Sequence, residues 1–171
     1  MRLSILGSTG SIGCNTLQVV REMEGRAEAV ALAAGRNVEQ LAPQIVEFRP
    51  ALVSVADEAV REELLSALDR LAPGGPRPKI LWGQEGLLAC VVDADCDVVV
   101  SAAVGVVGLP ATYEAIVRGK RVALANKEVL VAAGDLVMAA ARESGSELLP
   151  VDSEHNALHQ CLRAGRKEEV D

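Results

Sequence analysis

Aromatic side chains are nearly absent: Phe48, Trp82 and Tyr113 are the only three in 171 residues. Because 50% of the chain is hydrophobic, its core must be built from Ala, Val, Leu and Ile, as suits a buried parallel sheet covered by helices. No apolar run approaches the ~20 residues that span a bilayer. The N-terminus also lacks the basic stretch and long apolar run of a signal peptide, since polar Gly7 to Ser11 interrupt it. A soluble, cytoplasmic chain with no membrane partner is expected. Positive charge is short: 24 acidic residues against 17 Lys and Arg leave a net charge of -7. That argues against nonspecific nucleic-acid binding, but not against a phosphorylated ligand, because helix termini and local donors can outweigh the global charge. The four cysteines, Cys14, Cys90, Cys96 and Cys161, form no C-x-x-C pair. They are expected as reduced core residues rather than as a zinc site.

What the chain does have stands at its start. An apolar strand, Arg2–Leu6, runs into Gly7-Ser8-Thr9-Gly10-Ser11-Ile12-Gly13, and beyond it Leu17, Val19, Val20 and Met23 recur at helical spacing. Strand, tight turn and helix in this order place free N–H groups where a dinucleotide pyrophosphate can sit. The spacing is G-x-x-G-x-x-G, so Ser8, Thr9 and Ser11 add hydroxyls to the loop. A glycine-rich turn serving only close helix–strand packing remains the alternative.

The length fits one domain, or one domain and the beginning of another. Strand-like segments at Arg2–Leu6, Ala27–Ala34, Ala51–Val55, Lys79–Trp82, Asp97–Ser101, Arg121–Leu124 and Glu147–Leu149 alternate with helical ones. The helices are expected at Ser11–Glu24, from Val38 through Val46 with Pro43 tolerated, at Glu58–Leu71 and at Gln84–Val92. Others follow around Thr112–Arg118, at Lys127–Val131, at Asp135–Glu143 and from Ser153. Pro73 to Pro78 is a loop, and the ending from Arg163 is polar. Such alternation predicts an α/β, doubly wound, mostly parallel Rossmann-like sheet with helices on both faces.

An NAD-selective chain commonly carries Asp or Glu at the end of the second strand; here Ala34-Gly35-Arg36-Asn37 stands instead. Arg36 can pair with a 2′-phosphate and Asn37 can donate to it, which favours NADP. A solvated arginine in an ordinary loop is the other reading. Ala125-Asn126-Lys127-Glu128 follows a strand at the sheet's carboxyl edge, as a ligand-facing set or merely a polar helix start. Ser101 to Gly105 ends the preceding strand with small residues, leaving room for a cofactor or packing closely. In Val151-Asp152-Ser153-Glu154-His155-Asn156, an extended backbone would project Asp152 and Glu154 to one side, a hard-cation pair. The residues by themselves favour a helix N-terminus there, with Asp152 or Ser153 as cap and Glu154 in the first turn. His155 and His159 lack H-E-x-x-H and a third soft ligand, so solvated or packed histidines are expected rather than a zinc pair.

Taken together, Gly7 to Gly13, Ala34 to Asn37, Ser101 to Pro110, Asn126 to Glu128 and Pro150 to Asn156 resemble the 1-deoxy-D-xylulose 5-phosphate reductoisomerase family. Order and spacing agree over essentially the whole chain. The resemblance implies NADPH as cofactor, with Gly7, Thr9, Gly10, Ser11 and Ile12 at the pyrophosphate and Gly35, Arg36 and Asn37 at the 2′-phosphate end. Asn126 and Glu128 would also contact NADPH, while Lys127 faces the substrate between them. It reverses the reading of the carboxylate pair: Asp152 and Glu154 would bind Mg²⁺ or Mn²⁺, or Co²⁺, and Ser153 and Glu154 would touch the substrate. Lys127 and Glu154 would be the catalytic residues. The substrate implied is a small phosphorylated sugar, 1-deoxy-D-xylulose 5-phosphate. Its skeleton would rearrange by retro-aldol cleavage and re-aldolisation before reduction to 2-C-methyl-D-erythritol 4-phosphate. Residues 1–150 would form the NADPH-binding domain and 151–171 the beginning of a metal- and substrate-binding catalytic domain. Full-length members continue further, to a third metal carboxylate, substrate-phosphate donors and a lid, and would be homodimers. The chain is therefore expected as an N-terminal portion that binds metal weakly and catalyses nothing alone. Two alternatives are an NADPH-binding module and an unrelated Rossmann dehydrogenase; no cysteine after a strand supports the latter.

Overall fold

The computed structural model describes residues 1–75, 77–164 and 166. Seven strands form one sheet: β1 (Arg2–Leu6), β2 (Glu28–Ala33), β3 (Leu52–Val55), β4 (Lys79–Trp82), β5 (Val98–Ser101), β6 (Arg121–Leu124) and β7 (Leu148–Pro150). Their spatial order is β4-β3-β2-β1-β5-β6-β7, and every pairing is parallel. The expected sheet is therefore present, parallel throughout the described residues. The chain winds outward from β1 to β4, then returns to place β5 on the other side of β1. The order reverses between β1 and β5, which opens a crevice beyond their carboxyl ends.

Period-2 alternation sorts the strand residues between two cores. Leu3 and Ile5, with Val98 and Val100, face α1 (Ser11–Glu22), α2 (Val38–Phe48) and α3 (Glu58–Leu71). Leu6 and Val99 face α4 (Gly83–Val92), α5 (Leu109–Val117) and α6 (Glu128–Ser144). The largest fully buried side chains, such as Ile5, Leu6, Leu32, Leu64 and Ile116, are all aliphatic. Each contributes about 2 kcal/mol by leaving water. None of the three aromatics is buried; Trp82 is 40% exposed, with Arg61 over its ring. Cys90 and Cys96 are core residues as expected, and burial pushes the Cys90 thiol up to about 12. Cys161 is instead exposed and Cys14 only partly covered.

Element positions follow the sequence reading closely. The two helical segments expected at Lys127–Val131 and Asp135–Glu143 lie in α6 on either side of Ala133, whose backbone is not helical (φ -147°, ψ 30°). The helix expected from Ser153 is α7 (Ser153–Ala164), with no buried residue along it. Of the expected loop and polar ending, Pro76, Gly165 and residues 167–171 lie outside the described residues.

At the β1–α1 turn the backbone itself packs. Gly7 has φ +96°, and a Cβ on it would lie 2.5 Å from the Ala102 carbonyl oxygen beyond β5. A Cβ on Gly13 would lie 2.3 Å from the Gly7 oxygen, against backbone that cannot move aside cheaply. Gly13→Ala is therefore expected to cost about 1–3 kcal/mol of stability. Gly134→Ala, at a position with nothing within 4 Å of the new methyl, should leave stability unchanged or slightly raised. Thermal melts of the two variants check this, and equal losses would contradict it.

Candidate nucleotide site and the adjoining carboxylate cavity

The crevice at the β1–β5 reversal has a volume of about 530 Å³, and Gly7, Thr9, Gly10, Gly35 and Arg36 lie along it. Its floor is Gly10, the N-cap of α1, which has no side-chain capping bond and no acidic residue in the first turn. The N–H groups of Ser11, Ile12 and Gly13 meet no acceptor among the described residues, the first intrahelical bond near them being Cys14 N–H to the Gly10 carbonyl at 2.9 Å. Three free donors at the positive end of a helix are suited to an anion. The turn is held from both sides. Gly7 and Ser8 N–H both donate to the Ala33 carbonyl at 2.8 Å, and buried Gln44 of α2 donates through Nε2 to the Ser8 carbonyl at 3.0 Å.

The adenosine end is built from the ends of β2 and β3. Arg36 is exposed and forms an ion pair with Asp57, a partner that the local sequence reading missed. Asp57 is also the N-cap of α3, accepting from Val60 N–H at 3.0 Å. That bond first, and then Arg36, hold its carboxyl below the ordinary range against partial desolvation. A lowered folded-state pKa adds stability above the ordinary carboxylate pKa, which is lost as the pH falls through the folded value. Asn37 caps α2, with its Oδ1 accepting from Gln40 N–H at 3.2 Å and its Nδ2 donating to Gln40 Oε1 at 3.0 Å. Gly83, Gln84 and Leu87 of the β4–α4 junction form the opposite wall. They carry no ligand-like pattern in sequence and enter only through the fold.

Beyond β5, Ser101 and Thr112 share a buried hydroxyl pair at 2.7 Å. Asn126 is buried, and its amide is engaged internally. Nδ2 donates to the carbonyls of Ala103 and, at 2.6 Å, Gly105, while Oδ1 accepts from Glu128 N–H at 3.1 Å. It thereby fixes the loop whose Val104 and Val107 border the crevice. Lys127 and Glu128, on the following residues, are exposed.

Lys127, Asp152 and His155 line a second cavity of about 490 Å³ between α6, β7 and α7. Asp152 acts as the cap of α7, with its Oδ1 accepting from His155 N–H at 3.2 Å and its carboxylate lying 2.7 Å from His155 Nδ1. The His155 contact first, with smaller help from the Lys127 charge, lowers its pKa against desolvation. Ser153 and Glu154 are exposed in the first turn of α7. His159 does not join His155; its Nε2 is buried without a partner among the described residues. Among the described residues no group of three or more His, Cys, Asp or Glu could hold a metal. Asp152 and Glu154 thus offer the hard oxygen donors a divalent cation takes, but too few of them to enclose it.

Known proteins share this sequence and fold. A family model described as 1-deoxy-D-xylulose 5-phosphate reductoisomerase matches residues 3–134. The enzyme of that name from Solibacter usitatus is 54% identical over 171 residues, covering 98% of this chain and 43% of the relative. A Zymomonas mobilis reductoisomerase solved with NADPH superposes with a TM-score of 0.86 at 40% identity, over 94% of this chain and 41% of the other. Another, solved with NADPH, fosmidomycin and magnesium, gives 0.85 at 41% identity, covering 95% and 39%. The chain spans about 43% of the length of curated relatives such as the Solibacter enzyme.

Replacing Asn126 by Asp exchanges the amide donor for a carboxylate oxygen facing two carbonyls. The variant should lose about 1–3 kcal/mol in urea unfolding; an unchanged midpoint would show that this amide does not hold the loop.

Proposed function

The chain belongs to the 1-deoxy-D-xylulose 5-phosphate reductoisomerase family, and from that premise we propose that it holds NADPH for the rearrangement and reduction of 1-deoxy-D-xylulose 5-phosphate to 2-C-methyl-D-erythritol 4-phosphate. The observation that carries this reading is the crevice itself: free N–H groups at α1, an open glycine turn and a guanidinium at the adenosine end. NADPH, when bound, supplies the hydride that reduces an aldehyde.

Each residue then has a physical task. Thr9, Gly10, Ser11 and Ile12 present backbone and hydroxyl donors to the pyrophosphate, and Gly7 lets the turn approach β5 closely enough to do so. Gly35 leaves open space beside the ribose, since a Cβ there would touch nothing within 4 Å. Arg36 takes the 2′-phosphate as a charge-assisted donor. Asn37 fixes the start of α2 behind Arg36. Asn126 shapes the loop along the nicotinamide half, with Glu128 following on the cofactor side. Lys127 lines the neighbouring cavity with Asp152 and would face the phosphorylated sugar there, with Ser153 and Glu154 touching the sugar from the exposed first turn of α7.

Asp152 and Glu154 would be metal ligands for Mg²⁺, Mn²⁺ or Co²⁺. Their oxygen chemistry suits these ions, but their number does not, so no chemical step is assigned through a metal. On this reading residues 1–150 are the nucleotide domain and 151–171 open the metal- and substrate-binding part. On the same reading the full-length protein would be a cytoplasmic homodimer.

Calorimetry on this chain should show NADPH binding more tightly than NADH. Arg36→Ala should weaken NADPH by about tenfold or more, the loss of a charge-assisted contact, and leave NADH within about twofold. Equal affinities of the unaltered chain for both nucleotides would contradict the assignment.

A further inference from the structure

The Arg36–Asp57 pair joins two loops that are 21 residues apart in sequence, and nothing in the family assignment requires it. We propose that Asp57 is a specificity-determining residue that restrains the affinity of the 2′-phosphate subsite, holding Arg36 in an ion pair which the incoming phosphate must share. This rests on the NADPH reading above.

The arrangement of the carboxylate supports a fixed restraint rather than a passing surface contact. Oδ1 of Asp57 is tied to Val60 N–H at the start of α3, while Oδ2 faces the guanidinium. The two oxygens therefore serve different partners, and the helix end keeps the carboxylate in place when Arg36 moves. The Arg36 side chain is 71% exposed and that of Asp57 39%, so solvent reaches the guanidinium and a phosphate can approach it. The pair as a whole is neutral. A 2′-phosphate, with a charge near -2 at neutral pH, gains attraction from Arg36 but meets repulsion from Asp57 one guanidinium width away. NADH, which carries a 2′-hydroxyl there, meets neither effect strongly.

NAD-selective chains commonly place such a carboxylate at the end of β2. Here the acid comes from the end of β3 and is neutralised by the arginine that replaces it. The crevice thus retains a residual acidic group beside a phosphate-binding base. Asp57 sets how far the subsite favours NADPH, while Arg36 sets the direction of the preference.

The test is Asp57→Asn, because the asparagine oxygen still accepts from Val60 N–H and preserves the cap. Thermal melting should confirm that the variant folds. NADPH affinity by calorimetry should rise by about three- to tenfold, with NADH unchanged within about twofold. The gain should shrink at high salt. Unchanged or weaker NADPH binding, or an equal gain for NADH, would overturn the proposal. Should the unaltered chain itself fail to prefer NADPH, the nucleotide reading falls; a preference that Asp57→Asn leaves unmoved defeats only the role of Asp57.

Discussion

Where β1 leaves the sheet, backbone lies against backbone with no room for a side chain between. A Cβ on Gly7 would sit 2.5 Å from the Ala102 oxygen, and one on Gly13 would sit 2.3 Å from the Gly7 oxygen. This contact sets the distance between the β1 turn, the first turn of α1 and the end of β5. Because α1 is drawn so near, its unpaired N–H groups open onto the crevice at the strand-order reversal. Because Gly7 meets Ala102, the loop after β5 begins at the same crevice rather than away from it. Arg36 arrives from the next strand across, and Asn126 secures the far side of the loop. Each of these placements presumes the close approach at two glycines.

The rest of the site divides by burial. On the nucleotide side, buried polar groups restrain backbone: Gln44 holds the Ser8 carbonyl, and Asn126 holds those of Ala103 and Gly105. Their partners are carbonyls, so the loops are fixed while N–H groups remain for a ligand. On the carboxylate side, functional candidates are exposed. Lys127, Ser153 and Glu154 stand at helix starts in solvent, and Asp152 is engaged with His155 and the α7 backbone. One half presents unpaired N–H groups at a helix start, and the other presents oxygen donors short of a closed coordination shell. That contrast follows from the sheet, whose central strands β1 and β5 open onto the first half, while the second lies at its edge against β6 and β7.

Much of this was legible in the sequence because it is local. Strand β1, its glycine turn and the amphipathic run of α1 are written within about two dozen residues, and short aliphatic strands separated by helices left little choice of fold. Where the information is tertiary, sequence reasoning missed it. Asp57 meets Arg36 across two loops, and Gln44 reaches Ser8 from another helix 36 residues on. Neither spacing has a local signature. Asn126 was marked as polar and near a ligand edge, but its burial and its bonds to two carbonyls depend on where the loop after β5 returns. The segment from Asp152 shows another limit. Its residues suit an extended carboxylate pair or, better, a helix cap, and the structure takes the cap.

The central claim is that the first-turn N–H groups of α1 grip the nucleotide pyrophosphate. An NADPH titration of the ¹⁵N-labelled chain reads those amides directly. The account predicts that the largest amide shifts fall on Ser11, Ile12 and Gly13, with slower hydrogen exchange there once NADPH is bound. Unmoved amides at these three residues, with the shifts gathered instead around Lys127 and Asp152, would contradict it.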